Sequence, residues 1–462
     1  MKELTLKQLA QWCGGRLVPE DADCVIRGMQ QDSRDIRYGD LFVAIAGEHF
    51  DGHNFVKKAA EAGAQAALVD HETGNGVPEI VVENTLLAYG AIAKHYLEMI
   101  DIPVVAITGS VGKTTTKEMI SGVLAGKYRV SKTLGNHNNN LGLPITVMEM
   151  AEDTEVAVLE LGMNHFGEMS YLTSIARPSV VVITNIGTMH IEHLGTREGI
   201  LKAKLEIMQG IRDDGVAVFN GDEPLLWNLR EGTHRRIYFG IENECCDVVA
   251  RDICQRDGGM DFEVSGFGST FRVFVPQEGR HTVYNALAAI AVGMLQDVPN
   301  DVIVRQLSLF LNTGMRQRVT EEFGFTIIDD CYNAGPESME AALGVLREHR
   351  CSGKRIAVLG DMLELGSRAM AEHYRVGRLA AESADVVLAY GKHSERIITG
   401  AVTGGIKPKC AIHYDDQSEM AQALCRAAKP GDVLLFKGSR GIKMERVMRE
   451  FLQEQRENNQ KN

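Results

Sequence analysis

One stretch of the chain, residues 104–116, constrains the fold more than any other. Val104–Ile107 is a short apolar run, which indicates a strand covered on both faces of a parallel sheet. Gly109 and Gly112 follow, and without a Cβ atom they let the backbone turn tightly beside a ligand. The helix expected next, Lys117–Ala125, presents free N–H groups and the positive end of its dipole to that turn. Strand, glycine turn and helix in this order predict a cradle for a nucleoside triphosphate.

Two side chains of this nucleotide loop, defined as residues 109–115, have chemistry suited to a triphosphate. Lys113 supplies a cation for the terminal phosphates, and Thr114 supplies a hydroxyl suited to Mg²⁺. The common P-loop pattern requires glycine at position 107, which is Ile107 here, so the loop is a shorter form. The other residues predicted to bind the nucleotide in this loop are Gly109, Ser110, Val111, Gly112 and Thr115.

Composition and charge narrow the class of protein. A chain of 462 residues has room for about three domains. The net charge of -13 argues against a general role at nucleic acids or membrane surfaces. The nine cysteines are scattered, odd in number and without a C-x-x-C pair, so we expect reduced thiols. No signal core or membrane-length apolar run is present. We expect a cytoplasmic monomer.

Residues 1–83 read as a small α/β domain with one unusual polar segment. Ser33 and Arg34 lie just before an expected strand, Leu41–Ile45. A helix over Phe55–Ala62 and a strand over Ala66–Val69 should follow. The polar segment is either a surface turn holding an Asp–Arg pair or an anion-binding loop that meets phosphate or sugar.

Residues 84–312 alternate apolar strands with helices, which favours a mainly parallel sheet with helices on both faces. After a connecting helix over 84–100 and the strand at 104, further strands are expected at Ala157–Leu161, Val180–Thr184 and Val216–Phe219. Residues 247–275 alternate apolar and polar positions and predict antiparallel hairpins.

Polar residues follow the carboxyl ends of these strands, where open α/β sheets bind ligands. Glu160 and His190 are either a buried ion pair or, beside a triphosphate, groups that serve Mg²⁺. Asn138 and Asn139 belong to an asparagine-rich stretch that could be an ordinary turn. Lys204, on a helix expected over Ile200–Ile211, could simply be solvated.

Residues 313–462 repeat the strand–helix alternation. Strands are expected at Thr326–Ile328, Ile356–Leu359, Val386–Tyr390 and Val433–Lys437. Polar groups again end the strands, with Asp330, Tyr332 and Asn333 after the first. The tail from Gln453 to Asn462 is polar, and we expect it to be frayed. The predicted fold is therefore α/β in three domains, the last of them Rossmann-like.

These features together predict an enzyme that uses ATP. No Ser-His-Asp or Cys-His arrangement and no kinase loop set is evident in the sequence. Polar strand ends from two domains facing one crevice suit activation of a carboxylate as an acyl phosphate, followed by attack of an amine.

The chain resembles the Mur ligases over essentially its whole length. The general motifs are Asp32-Ser33-Arg34, Thr108–Thr115, Gly135-Asn136 with Asn138-Asn139, Asn185-Ile186-Gly187 with His190, Ala203-Lys204 and Asn285–Ala289. The motifs Asp329–Ala334, Leu359–Gly366 and Lys437–Arg440 are similar to those of members that join D-alanyl-D-alanine to UDP-N-acetylmuramoyl-tripeptide.

The resemblance implies a role for each candidate residue. Ser33 and Arg34 would hold the uridine diphosphate end of the substrate, and Asn138 and Asn139 would face the substrate. Glu160 and His190 would serve two Mg²⁺ sites, and Lys204 would carry a carbamate that supports Mg²⁺. The residues that would contact ATP outside the nucleotide loop are Asn285, Arg316 and Asp330. Those near the incoming amine would be Tyr332 and Asn333.

The chain departs from the family pattern at a few positions. Cys331 and Gly335 replace the usual serine and asparagine, and Met315 stands before Arg316 where glycine is common. The motif Asp-Asn-Pro-Arg, which reads diaminopimelate in the preceding ligase, is absent. The rival functions are another amide ligase of the same fold, such as a folylpolyglutamate synthase, and a catalytically silent ATP-binding protein.

Overall fold

Three mainly parallel sheets follow one another along the chain, which confirms the predicted α/β class. The structure is a computed structural model that describes residues 1–47, 50–230, 232–256, 258–312 and 314–461. Thr313, the expected start of the last domain, and Asn462 lie outside the described residues. The strands of the three sheets fall within residues 16–81, 104–275 and 318–437, so the proposed domains 1–83, 84–312 and 313–462 each hold one of these three sheets.

The first region contains a five-stranded sheet in the order β2-β7-β6-β5-β4, parallel except for β2. Its elements are β1 (Leu4–Thr5), α1 (Leu6–Cys13), β2 (Arg16–Val18), β3 (Val25–Ile26), β4 (Gly28–Gln30), β5 (Asp40–Val43), α2 (Val56–Ala62), β6 (Ala66–Val69) and β7 (Glu79–Val81). Helix α3 (Thr85–Ile100) connects this region to the central one. Strands β1 and β3 form a separate antiparallel pair.

The central region contains a nine-stranded sheet in the order β16-β15-β14-β13-β12-β11-β8-β10-β9. Its strands are β8 (Val104–Thr108), β9 (Val130–Lys132), β10 (Val156–Glu160), β11 (Val180–Ile183), β12 (Val216–Asn220), β13 (Arg235–Gly240), β14 (Val248–Arg256), β15 (Gly259–Gly266) and β16 (Ser269–Val275). Its helices are α4 (Lys113–Ala125), α5 (Gly142–Met148), α6 (Glu168–Ala176), α7 (Ile191–Leu194), α8 (Arg197–Leu205), α9 (Pro224–Trp227), α10 (Arg280–Leu295) and α11 (Asn300–Ser308). The predicted hairpins at 247–275 are confirmed as β14, β15 and β16.

The last region contains a six-stranded sheet in the order β17-β18-β22-β19-β20-β21, parallel except for β17. Its strands are β17 (Arg318–Glu322), β18 (Phe325–Asp330), β19 (Arg355–Gly360), β20 (Val386–Tyr390), β21 (Ala411–Tyr414) and β22 (Val433–Lys437). Its helices are α12 (Pro336–Glu348), α13 (Ala369–Ser383), α14 (Glu395–Thr403), α15 (Gln417–Ala427) and α16 (Glu445–Lys461).

Alternating side chains of the central strands fill two separate cores. Val104 and Ala106 of β8 face a core shared with α3 and α6, whereas Val105 and Ile107 face a core shared with α4 and α10. A parallel strand covered by helices on both sides must be apolar at every position, which explains the continuous run seen in the sequence. This burial fixes the carboxyl end of β8, from which the nucleotide loop emerges.

Three sequence predictions about helix ends are wrong. The helix expected over Ile200–Ile211 is α8, which begins at Arg197 and ends at Leu205, where a 3-10 turn follows. Helix α4 begins at Lys113, four residues before the expected start, because the glycine turn leads straight into the first helical turn. The tail expected to fray instead continues α16 to Lys461. Phe451 is fully buried against Phe325 and Phe436, so the first half of this helix is held by packing. None of the helices in the described residues combines the length and the apolar character that a membrane span requires.

Candidate active site

The nucleotide loop has a backbone that requires glycine at two positions. Gly112, the residue before α4, has φ +83°, in the left-handed region that favours glycine. A Cβ atom there would lie 2.7 Å from Asn285 Oδ1, and one on Gly109 would overlap the hydroxyl of Thr184. Side chains at either position would therefore push away the neighbours that shape the loop.

The end of β11 holds the loop in place. Asn185 Oδ1 accepts hydrogen bonds from the backbone N–H groups of Ser110 and Val111, at 3.1 and 2.9 Å. The Thr184 hydroxyl donates to Val111 O at 2.6 Å. Ser110 Oγ accepts from Gly187 N at 2.9 Å. Neutral hydrogen bonds thus preform the turn, and they satisfy two loop amides with a side chain.

Lys113 lies at the first position of α4 with its ammonium group turned back onto the loop. Nζ donates to Gly109 O at 2.8 Å. Burial lowers the pKa of Lys113, and Arg316 acts in the same direction, whereas Glu160 raises it. The side chain lines a cavity of about 740 Å³, where Thr114 and Thr115 flank it. A lysine resting on its own loop carbonyl can turn toward a phosphate without further chain movement.

Glu160 ends β10 directly beside this loop and is 2 % exposed. Its Oε2 accepts from the Thr114 hydroxyl at 2.7 Å, and its Oε1 accepts from Asn138 Nδ2 at 2.9 Å. Neither oxygen is neutralised by a cation in a direct ion pair among the described residues. The carboxylate and hydroxyl form a set of hard oxygen donors, which is the chemistry that Mg²⁺ prefers.

His190 lines the same cavity but does not contact Glu160, so the predicted alternative of an ion pair between them is not seen. Its Nδ1 lies 2.5 Å from Glu364 Oε2, a carboxylate of the last region.

Asn139 stabilises the start of α5, because its Oδ1 accepts hydrogen bonds from the backbone N–H groups of Leu141 and Gly142.

Lys204 is buried, not solvated. Only 2 % of the residue is exposed, and burial lowers its pKa well below the ordinary lysine value, with Lys113 acting in the same direction. Among the described residues, no carboxylate pairs with its ammonium group. A buried amine without a counter-charge is stable in its neutral, nucleophilic form.

The last region contributes the opposite wall of the cavity. The Arg316 guanidinium stacks 3.7 Å from the ring centre of Tyr332. Asp330 accepts from Gln317 N at 3.1 Å and from Lys437 Nζ at 2.5 Å. The candidate residues from this region that line the cavity are Arg316, Asp330, Tyr332 and Asn333.

Asn285 connects the two sides of the nucleotide loop. Its Oδ1 accepts from the Thr116 hydroxyl at 3.1 Å, and its side chain lines both the large cavity and an adjoining cavity of about 240 Å³. Asp222 and Tyr284 also line the smaller cavity. Asn285 therefore lies where the predicted contact with nucleotide would be made.

Three departures from the family pattern do not reach the cavity wall. Cys331 is fully buried, its Sγ donates to Phe436 O, and burial raises the pKa of the thiol. Gly335 precedes α12, where its N–H donates to Ser338 Oγ at 3.0 Å. Met315 uses its backbone carbonyl to accept from Tyr332 N at 3.0 Å.

Ser33 and Arg34 lie apart from this cavity, in the first region. The Arg34 guanidinium pairs with Asp32, with Nε at 2.9 Å from Oδ1, and holds the pKa of that carboxyl at about 2. Arg34 is 78 % exposed at its side chain, whereas Ser33 is buried. The Asp–Arg pair foreseen as one alternative is present, and it leaves the outer face of the guanidinium open to an anion.

Several residues in the cavity or beside it were given no role from the sequence. Gln317 is buried and joins the central region to the last one, since its Nε2 donates to Glu278 O at 2.7 Å and its Oε1 lies 2.6 Å from His281 Nε2. Lys437 and Glu364 belong to motifs noted above, but their partners lie far away in sequence. The unpredicted participants are Asn185, His281, Gln317, Glu364 and Lys437.

Comparison with known proteins finds three family models that match successive parts of the chain. Family models described as the Mur ligase family catalytic domain, the Mur ligase middle domain, and the Mur ligase glutamate ligase domain match residues 25–100, 107–293 and 315–440. A Bacillus subtilis (strain 168) protein named UDP-N-acetylmuramoyl-tripeptide--D-alanyl-D-alanine ligase is 41% identical over 98% of this chain and 99% of its own length.

Solved structures agree with this likeness. A crystal structure of MurF from Acinetobacter baumannii matches with a TM-score of 0.90 and 33% identity, covering 98% of this chain and 99% of that chain. The structure of MurF ligase from Thermotoga maritima in complex with ADP matches with a TM-score of 0.84 and 32% identity, covering 94% and 98%. On full-length likeness in sequence and in structure, the chain belongs to the Mur ligase family.

Proposed function

We propose that this protein joins D-alanyl-D-alanine to UDP-N-acetylmuramoyl-tripeptide and converts ATP to ADP and phosphate. The product, UDP-N-acetylmuramoyl-pentapeptide, is a precursor for peptidoglycan synthesis and hence for cell wall biogenesis. The observation that carries the proposal is the 41% identity, over nearly the whole of both chains, to a ligase of that name. The cavity between two regions, with nucleotide-binding groups on one wall and Arg316 and Tyr332 on the other, supports it.

The reaction runs in two steps. A carboxylate oxygen of the tripeptide attacks the γ-phosphorus of ATP, and ADP leaves to give an acyl phosphate. The neutral amine of D-alanyl-D-alanine then attacks the acyl carbon, phosphate leaves, and the nitrogen releases a proton as the amide forms. Lys113 turns from Gly109 O to the terminal phosphates and stabilises the charge that develops there. The preformed loop places this cation without reorganisation during the reaction.

We propose that Thr114, Glu160 and His190 serve two Mg²⁺ sites. The donor set fits, because the Thr114 hydroxyl and the buried Glu160 carboxylate meet at 2.7 Å beside the loop that faces the triphosphate. Bound Mg²⁺ would neutralise phosphate charge and so ease attack at phosphorus. Asn138 steadies the second oxygen of Glu160, which fixes the direction in which the carboxylate points.

We propose that Lys204 carries a carbamate. The neutral amine favoured by its burial attacks CO₂, a C–N bond forms, and one proton leaves. The product is an anion, which has an electrostatic reason to lie near Lys113 and near Mg²⁺ that the lysine cation lacks.

We propose that the incoming dipeptide lies beside Tyr332 and Asn333, and that Arg316 and Asp330 contact ATP from the last region. Tyr332 is held by its stacking on Arg316, and Lys437 links Asp330 to Asn333 O. The two walls together exclude water, which protects the acyl phosphate from hydrolysis. Ser33 and Arg34 would bind the uridine diphosphate end at a distance, as an anchor that adds binding energy.

A substrate panel tests the proposal. Purified protein is incubated with ATP, D-alanyl-D-alanine and UDP-N-acetylmuramoyl-tripeptide carrying either diaminopimelate or lysine as the third residue. We expect ADP release and a product mass equal to tripeptide plus dipeptide less water for at least one tripeptide. Release of ADP only with a single amino acid would point to another amide ligase. No release with any acceptor would point to a silent ATP-binding protein.

We further propose that the protein acts as a monomer in the cytoplasm. All nine cysteines are free thiols, which fits a reducing compartment. Light scattering after size-exclusion chromatography should give the 50.8 kDa mass of one chain, and a value twice as large would contradict the proposed monomer.

A further inference from the structure

Two residues with unusual backbone conformations meet between the central and last regions. His190 has φ +63° and Glu364 has φ +61°, and neither is a glycine. Residues other than glycine in the left-handed region cost conformational energy, and such strain persists mainly at functional sites. At these two positions His190 Nδ1 lies 2.5 Å from Glu364 Oε2, although the residues are 174 apart in sequence.

The surrounding contacts show that this meeting is part of a larger interdomain contact. Glu364 O accepts from Glu192 N at 3.4 Å. Glu337, at the start of α12, accepts from the Thr188 hydroxyl at 3.2 Å. A Cβ atom on Gly187 would lie 2.9 Å from the Glu337 carboxyl carbon, so a larger residue there would displace this carboxylate. The carboxylates of Glu337 and Glu364, both in the last region, thus form hydrogen bonds with side chains of the segment 187–192.

The hydrogen bond has a chemical consequence for His190. In the neutral ring, Nδ1 must carry the proton to donate to Glu364, so the lone pair is left at Nε2. The His190 side chain is 14% exposed and lines the large cavity. A carboxylate that fixes the tautomer and the orientation of a histidine is a common support for histidines that bind a ligand through the other nitrogen.

We propose that Glu364 is a positioning residue that orients His190 and fixes its tautomer only when the last region lies against the central one. This inference rests on the proposed ligase function, since it assigns Glu364 to the same active site. It makes one element of the nucleotide-binding wall depend on domain closure. The last region therefore does more than cover the site: it sets the protonation pattern of a residue on the other wall.

The test combines kinetics with a spectroscopic readout. The variants are Glu364→Gln, which keeps an oxygen acceptor, and Glu364→Ala, which removes it. Glu192→Gln is the matched control, because this carboxylate lies at the same interdomain contact and is exposed. Melting temperatures establish that each variant folds. The two-bond ¹⁵N–¹H correlations of histidine-labelled protein with ADP identify the tautomer of His190, which is assigned from the signal that disappears in His190→Gln.

We expect the Nδ1-protonated tautomer in the parent protein, in Glu364→Gln and in Glu192→Gln. Glu364→Ala should shift His190 to the Nε2-protonated form and lower kcat by about 10-fold to 100-fold, with Glu364→Gln losing less. A His190 tautomer that is unchanged in Glu364→Ala would overturn the inference. The tautomer is measured without turnover. It therefore tests the role of Glu364 even if the substrate panel contradicts the ligase function, and the two proposals can be rejected independently.

Discussion

The nucleotide loop and the Ser33–Arg34 loop both face anions in the proposed function, yet they are built differently. The nucleotide loop is held by partners from distant segments, namely Thr184, Asn185 and Asn285. Arg34 is held by Asp32, two residues away, at an exposed site. The first loop is therefore shaped before its ligand arrives, whereas the second relies on a local pair. Substitutions should therefore reduce activity or ligand binding far more at the nucleotide loop than at the Ser33–Arg34 loop.

The strongest test of this difference is Lys113→Ala. Removing the only loop cation takes away the charge that meets the terminal phosphates, and we expect kcat to fall on the order of 1,000-fold. ADP release in the presence of both acceptor substrates is the measurement. Lys57→Ala, on the exposed face of α2, is the control. A loss of less than tenfold would remove Lys113 from the reaction.

The next largest effect is expected for Lys204→Ala. Without the amine no carbamate can form, so kcat should fall about 100-fold and excess bicarbonate should not restore it. A carbamate signal in ¹³C spectra of protein kept under ¹³CO₂ should be present in the parent protein and absent in the variant. Near-normal activity would rule out the carbamate as a participant.

Asn185→Ala tests whether the loop is shaped in advance. The variant leaves the Ser110 and Val111 amides without their side-chain acceptor, so the loop must reorganise before it binds nucleotide. We expect the dissociation constant for ADP, measured by calorimetry, to rise about tenfold. An unchanged constant would mean that other contacts suffice to hold the loop.

A smaller effect is expected for Arg34→Ala. An exposed charged contact contributes about 1 kcal/mol or less, so KM for the UDP-linked substrate should rise about fivefold at most, with kcat and KM for ATP unchanged. Arg34→Lys keeps the charge, and its KM for the UDP-linked substrate should lie between those of the parent protein and Arg34→Ala. A change in KM for ATP instead would contradict the separation of the two loops.

The smallest effect concerns pH and stability at the contact between the central and last regions. Hydrogen bonding to Glu278 raises the pKa of His349 above 6.5; burial opposes this, Glu321 adds to it, and Arg355 acts against it. A raised pKa means that the protonated pair stabilises the fold below pH 6.5 and that this contribution is lost as pH rises through the raised value. His349→Gln should therefore lower the free energy of unfolding by about 0.5 to 1 kcal/mol near pH 6 and by almost nothing near pH 9.

Chemical unfolding of the two proteins at both pH values measures this difference. The nucleotide loop offers a contrast, because its supporting bonds are neutral, and Asn185→Ala should destabilise the protein equally at both. A His349→Gln effect that is larger at the higher pH would contradict the assigned direction of the pKa shift.

Local patterns in the sequence were sufficient for most elements of the fold. The strands Ala66–Val69, Val386–Tyr390 and Val433–Lys437 lie where apolar runs predict them. Short strands such as β9 and β21 escaped prediction, since three or four residues at the edge of a sheet carry little pattern. The end of α16 was missed because its polar residues carry no apolar pattern; the helix continues from a first half that is packed through Phe451 against strands far away in sequence.

The same distinction holds for the site. Lys113, Thr114 and Glu160 could be singled out because they lie at the end of a strand or in the short loop after one. Asn185 and Glu364 were visible as motif members, but their tasks are set by partners about 75 and 174 residues away. Pairings across such separations follow from strand order and from domain contact, which one sequence does not display.

The shared core under the central sheet has a mechanical consequence. Leu6 and Leu41 of the first region belong to one continuous apolar cluster with Val104 and Leu159 of the central sheet, whereas the last region has clusters entirely of its own. The first two regions should therefore lose their structure cooperatively, as one calorimetric unit. The last region should unfold as a separate unit, because polar contacts such as His190–Glu364 and His349–Glu278, and not a shared apolar cluster, join it to the central region.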